Sequence, residues 1–152
     1  MTLNSYQRQR MRRYGSNTHI ERMFRREKEI KQAVWEAKND SHGRTGGGNS
    51  GHALVSDPTA AAAMHQVEEV REVTLADGYN VRWPERWLRV INATYDKYPA
   101  SERAIRLRCS GYAYADACEE LHIGKTTYYA MLNDADSFAF AAACQLQLVR
   151  AI

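Results

Sequence analysis

The chain has 152 residues, 44% hydrophobic and 26% charged, with a formal net charge of +3. That length supports one domain with a real core plus an extension and excludes two large domains. No apolar run approaches the eighteen residues of a membrane span and the polar, Arg-rich start has no signal-like character, so the sequence predicts a soluble, cytoplasmic protein with no membrane partner.

Charge and cysteine narrow the reading further. Residues 1–31 hold nine basic residues (Arg8, Arg10, Arg12, Arg13, Arg22, Arg25, Arg26, Lys28 and Lys31) against Glu21, Glu27 and Glu29, an excess of six that leaves the remainder at about −3. A cationic end on a near-neutral body suits phosphate, because Lys and Arg near a polyanion release condensed counterions. A solvated helix face also carries charge runs, so this segment does not decide the matter alone. The cysteines, Cys109, Cys118 and Cys144, are odd in number, which argues for reduced thiols and against a disulfide framework.

In chain order, Ile20, Met23, Phe24, Ile30 and Val34 recur at mostly helical spacing between Arg and Lys, predicting an amphipathic helix from about Asn17 to Ala37. Asn39 to Asp57, with five glycines, cannot hold a helix and reads as a flexible loop. Ser56-Asp57-Pro58-Thr59 then offers a capping side chain followed by Pro at the first helical turn, opening an alanine-rich helix that runs to about Ala76 and is interrupted by Asp77-Gly78. From Pro84, the residues Trp87, Val90, Ile91, Thr94, Tyr95 and Tyr98 form one buried helical stripe that Pro99 breaks. Ser101 is expected to cap a short helix carrying Ala104, Ile105 and Cys109, ended by Gly111. No strand pattern competes, and the predicted class is all-α with five or six helices.

Residues 112–133 carry most of the functional signal. Small Ala117 and Cys118 precede Leu121, the turn residues His122, Ile123 and Gly124 follow, and a second helix turns Tyr128 and Met131 inward: the pattern of a helix-turn-helix. Two steeply crossing helices approach closely only where the first carries a small side chain, a role assigned to Cys118. Lys125, Thr126, Thr127, Tyr129 and Asn133 are left outward at the start of the second helix, polar or hydrogen-bonding as entry into a major groove requires. That helix is expected to continue through Phe138, Ala142, Leu146 and Val149. A tight helical hairpin that only packs is the plain alternative.

Other motifs fail on their spacing. Gly124-Lys125-Thr126 lacks the glycine that a phosphate-binding loop needs at position 119, which is Glu, and Gly46 to Gly48 lack a preceding strand and a following lysine. Cys118 and His122 are half a metal site with no second pair, so core packing is favoured and no metal is expected. The Asn92-Ala93-Thr94 triplet sits inside a predicted helix. Trp83, Trp87, Tyr95 and Tyr98 read as core more readily than as a base-stacking platform. No catalytic constellation is present, so neither enzymatic activity nor a cofactor is expected.

A charged N-terminal helix, a glycine-rich loop closing with Ser56-Asp57-Pro58-Thr59-Ala60, a helix ending in Ile91-Asn92-Ala93-Thr94-Tyr95 and a helix-turn-helix from Gly111 through Tyr129, in that order, resemble the RinA/ArpU-like transcriptional activators of bacteriophages from about residue 20 to 150. The resemblance implies a regulator in the bacterial host cell that binds phage promoter DNA and activates late genes through a helix-turn-helix similar to the DNA-binding region of sigma factors. It places Lys125, Thr126, Thr127 and Tyr129 at the groove-facing start of the recognition helix. The chain departs from the family at Asp77 to Pro84, which interrupts one longer helix, and at Asp134 and Asp136, acids where basic residues are expected.

The predicted organisation is a basic N-terminal helical segment (1–39), a glycine-rich loop (40–57) and a helical domain (58–152) containing the helix-turn-helix. The expected function is a sequence-specific regulator bound to double-stranded DNA. Lys125 would contact phosphate or a guanine edge, Thr126, Thr127, Tyr129 and Asn133 would read bases or fix register, and Arg8, Arg10, Arg12 and Arg13 would add sequence-independent attraction. Host RNA polymerase and a second copy of the chain are the further partners considered. One rival is the small subunit of a phage terminase, in which the DNA-binding unit more commonly precedes the assembly helices. The other is an adaptor without DNA affinity, docking through the Ile20 to Val34 stripe.

Overall fold

The computed structural model describes residues 18–39 and 68–149. The glycine-rich loop, the Ser56-Asp57-Pro58-Thr59 cap, most of the alanine-rich helix and Arg8, Arg10, Arg12 and Arg13 lie outside the described residues. Among those described, the fold is predominantly helical: α1 (residues 18–25), α2 (Glu27–Asn39), α3 (Pro84–Lys97), α4 (Pro99–Cys109), α5 (Tyr114–Leu121) and α6 (Lys125–Gln145), with one small ribbon of β1 (Glu72–Thr74) and β2 (Asn80–Arg82). The chain divides into two compact units, one of residues 18–27 with 86–149, the other of residues 28–39 with 68–85.

In the larger unit the stripe read from the sequence is the buried one. Trp87, Val90, Ile91, Thr94 and Tyr95 are buried along α3, as are Ile20, Met23 and Phe24 along α1. The Thr94 hydroxyl, which could not stay unpaired in that setting, donates to the Val90 carbonyl at 2.8 Å. Phe24 meets Tyr95 with ring centroids 5.6 Å apart, and Tyr98 meets Phe138 edge-on at 5.8 Å, tying α1 to α3 and the end of α3 to α6. Helices α4, α5 and α6 pack against one another. Their buried residues include Ala104, Ala117, Ala135, Ala139 and Ala143, small side chains that let helix axes approach closely.

Helix ends follow from backbone hydrogen bonds. Gly111, at φ 85, closes α4: the Tyr112 N–H donates to the Leu107 carbonyl at 3.2 Å and the Gly111 N–H to the Arg108 carbonyl at 3.1 Å, a Schellman pair. The start of α4 differs from expectation. Pro99 occupies the first turn after Tyr98, while Ser101 is buried inside the helix and does not cap it, because the ring's fixed φ and missing N–H already suit a helix start. The N-terminal helix expected as one piece is broken at Arg26, whose N–H is shared between the carbonyls of Arg22 (3.1 Å) and Met23 (3.2 Å), the three-centre bond of a helix end. The last helix stops at Gln145, short of the expected Val149. Gln147 turns left-handed at φ 60, the Leu148 N–H donates to the Ala143 carbonyl at 2.9 Å, and Arg86 Nη1 donates to the Leu146 carbonyl at 3.2 Å.

The smaller unit holds the main departure from the sequence reading. Residues 72–74, which fall within the helix expected to reach Ala76, are instead extended chain, with β1 and β2 antiparallel and Val73 opposite Val81. Val73, Leu75 and Val81 are buried while their neighbours face solvent, a period of two that helical spacing cannot give. The reversal is made by Ala76-Asp77-Gly78: the Gly78 N–H donates to the Leu75 carbonyl at 2.9 Å, Gly78 takes φ 87, and Asp77 Oδ1 accepts from the Tyr79 N–H at 3.1 Å. Ile30, Val34 and Pro84 are also buried in this unit. Glu85 fastens its parts together, accepting the Val70 N–H at 2.8 Å and pairing with Lys38 at the end of α2.

Candidate nucleic-acid interface

The chain from α5 to α6 is two helices joined by three residues. At the end of α5, the Ile123 N–H donates to the Cys118 carbonyl (3.0 Å) and the His122 N–H to the Glu119 carbonyl (3.2 Å), which forces His122 into the left-handed region at φ 56, ψ 43. Gly124 is extended and opens α6. The small residue at the heart of α5 is Ala117, fully buried, and not Cys118, which is half-buried. On α6 the inward pair is Tyr128 and Leu132, four apart; Met131, expected inward, is half-buried, as are Leu121 and Ile123. Burial raises the Tyr128 phenol above its ordinary 10, so it is neutral at physiological pH.

Lys125, Thr126, Thr127, Tyr129 and Asn133 are all exposed. The buried line of α6 runs through Tyr128, Leu132, Ala135, Asp136, Ala139 and Ala143, which places Thr126, Ala130, Asn133 and Ser137 on the opposite side, also exposed. No side chain caps the first turn of α6, so no side chain takes up its leading amides at the positive end of the helix dipole, where Lys125 is the first helical residue.

Rings from both helices frame that end. Lys125 Nζ sits 4.8 Å from the centre of the Tyr114 ring, and Tyr114 lies 6.0 Å from Tyr129, which in turn packs edge-on to Tyr128 at 5.5 Å. Tyr112, Tyr114 and Tyr129 stay 47%, 46% and 41% exposed, an aromatic surface that the core does not absorb. Sequence reasoning does not find Tyr114. It lies on α5 and Lys125 on α6, so no single helical period relates them, and only the turn at His122 brings them together.

No family model, curated protein or solved structure matches the chain. What the interface can bind therefore follows from its own geometry.

Asp136, one of the two acids that stand where the resemblance implies basic residues, is buried. It is 3% exposed, and its two oxygens accept from Arg108 Nη1 (2.8 Å) and Nη2 (2.9 Å) in a fork that joins α4 to α6. Burial disfavours the Arg108 cation, but the bonds to Asp136 and the charges of Asp136 and Glu21 outweigh it and raise its pKa above the ordinary guanidinium value. The buried Arg108 Nε has no hydrogen-bond acceptor and lies 4.0 Å from Glu21 Oε1. A second arginine of α4, Arg106, pairs with Glu102 (2.8 Å) and the buried Glu27 (3.7 Å) and lies over the Tyr95 ring at 4.9 Å. Asp134 remains exposed, on the flank of α6 that carries Thr127, and Asp116, Glu119 and Glu120 are exposed on α5. Among the described residues no group of three or more His, Cys, Asp or Glu could hold a metal ion, and no helix is long and apolar enough to cross a membrane.

Proposed function

We propose that this chain is a sequence-specific DNA-binding regulator of phage transcription, an activator of late genes in a bacterial host, with the three-residue link between α5 and α6 forming a helix-turn-helix and α6 its recognition helix. The observation that carries the reading is the exposure of Lys125, Thr126, Thr127, Tyr129 and Asn133 at the start of a helix whose other side is buried. Besides Arg and Lys on guanine, base edges in a major groove are read by amide and hydroxyl groups and by methyl groups that meet thymine. The line through Thr126, Ala130, Asn133 and Ser137 supplies these with no acid among them. Lys125 and the uncapped amides beside it supply phosphate contact. The acids of α5 limit the attraction of this face, so Arg8, Arg10, Arg12 and Arg13 are assigned the sequence-independent share.

Footprinting across the genome that encodes the chain tests the reading. A protected promoter is the expected result. Protection of a packaging site, together with a ring of subunits by light scattering, would replace the regulator with a terminase small subunit, and absence of protection anywhere would remove DNA recognition altogether. Within a specific complex, Lys125→Ala lowers the slope of log affinity against log salt by about one unit.

A further inference from the structure

We infer that the outward surface of α6 selects A·T base pairs in the major groove, with thymine methyl groups as its principal apolar contact. This rests on the DNA-binding reading above and adds the bases that are read. Guanine is read best by a side chain that donates twice to O6 and N7, above all arginine, and cytosine by a carboxylate accepting from N4. Thr126, Tyr129, Ala130, Asn133 and Ser137 include neither type. Lys125, the one cation of this region of α6, lies at the helix end with its ammonium over the Tyr114 ring, and the exposed Asp134 borders the surface on the Ala130 flank, about 40° around the helix from Ala130 but about 100° from Asn133 and about 140° from Tyr129.

What the surface does offer matches adenine and thymine. The Asn133 amide can accept from N6 and donate to N7 of one adenine, a two-bond contact that no other base reproduces in the major groove. The Thr126 and Ala130 methyls and the Tyr129 ring are the apolar groups that meet a thymine C5-methyl. Tyr129 is suited to this because its ring is already held, 5.5 Å from Tyr128 and 6.0 Å from Tyr114, so little side-chain freedom is lost on contact.

The test begins with the full-length protein selecting from a pool of random-sequence duplexes, followed by replacement of each thymine in the best recovered duplex by deoxyuridine, which deletes only the methyl. Recovered sites should be A·T-rich at the protected centre, and each contacted methyl should weaken binding about fourfold when removed. Tyr129→Ala should abolish that sensitivity at one position and Asn133→Ala should flatten preference at one adenine. Both residues are exposed, and the deoxyuridine series on the wild-type protein decides even if a variant misfolds. Specific sites that are G·C-rich, or that tolerate every deoxyuridine, overturn this inference and leave DNA recognition standing. A pool with no enriched sequence overturns the DNA-binding reading and this inference with it.

Discussion

Asp136→Ala breaks the ion pair that joins α4 to α6. The substitution removes both acceptors of the Arg108 fork, at 2.8 and 2.9 Å, and strands a guanidinium whose Nε already lacks an acceptor, with the Arg108 side chain 14% exposed. Breaking a buried pair from one side costs about 3–5 kcal/mol, since the remaining charge is left uncompensated. Glu21 Oε1 at 4.0 Å from Nε and the slight exposure of Arg108 allow partial relief, which places the expected loss near the lower end, about 3 kcal/mol. Against a total of roughly 5–15 kcal/mol for a domain, that lowers the melting temperature by roughly 6–12 °C. Urea unfolding of the full chain followed by circular dichroism measures it, with the midpoint falling and the slope unchanged. Replacing both partners, Arg108→Met with Asp136→Leu, should recover most of the loss, because neither charge is then buried alone. A single variant that loses less than about 1 kcal/mol, or a double variant no better than the single, would refute the reasoning.

Four further outcomes follow from particular residues. His122→Gly should stabilise the fold by roughly 1 kcal/mol in the same unfolding assay, because a side chain held at φ 56 is strained and glycine is not; equal or lower stability would count against the strain. Ala139→Leu should destabilise by about 1–3 kcal/mol, since the site is fully buried and the added isopropyl group must displace its neighbours; a neutral result would show slack in the packing. Burial, then the charge of Arg22, hold the His19 pKa below its ordinary 6.5. The folded chain therefore takes up this proton less readily than the unfolded one, so stability is undiminished above 6.5 and declines as pH falls through that value toward the folded pKa; His19→Gln should flatten that decline in the urea midpoint, and parallel curves would exclude His19 as its source. Tyr114→Ala should weaken duplex binding by roughly 0.5–1 kcal/mol without a change in melting temperature, measured by fluorescence anisotropy; unchanged affinity would mean that the ring does not orient Lys125 for phosphate.

Features with a local period are legible in the amino-acid sequence itself. Ile20 to Val34 recur at mostly helical spacing and Trp87 to Tyr95 at three-four spacing, and each apolar position singled out in them is buried. The short link between α5 and α6 and the exposure of the five polar residues on α6 likewise follow from spacing. The ribbon is hidden by its lead-in: alanines at 60–63 argue for helix, while Asp77-Gly78 between Val73-Thr74-Leu75 and Val81 is a hairpin signal that the longer pattern obscures. Met131 and Leu132 are both apolar and lie one step apart around a helix, so periodicity points to the first where the fold buries the second. Nothing local announces the Arg108 and Asp136 fork, whose partners are 28 residues apart, or the seat of Lys125 on Tyr114. Such pairs exist only once the helices have docked.

The two sides of α6 are under opposite constraints. Ala135, Ala139 and Ala143 are packed so closely that almost any replacement would push a neighbour aside, whereas Thr126, Ala130, Asn133 and Ser137 touch solvent and can be exchanged without disturbing that seam. One continuous helix thus carries a face whose packing fixes its side chains and a face whose side chains can be changed one at a time without loss of the fold.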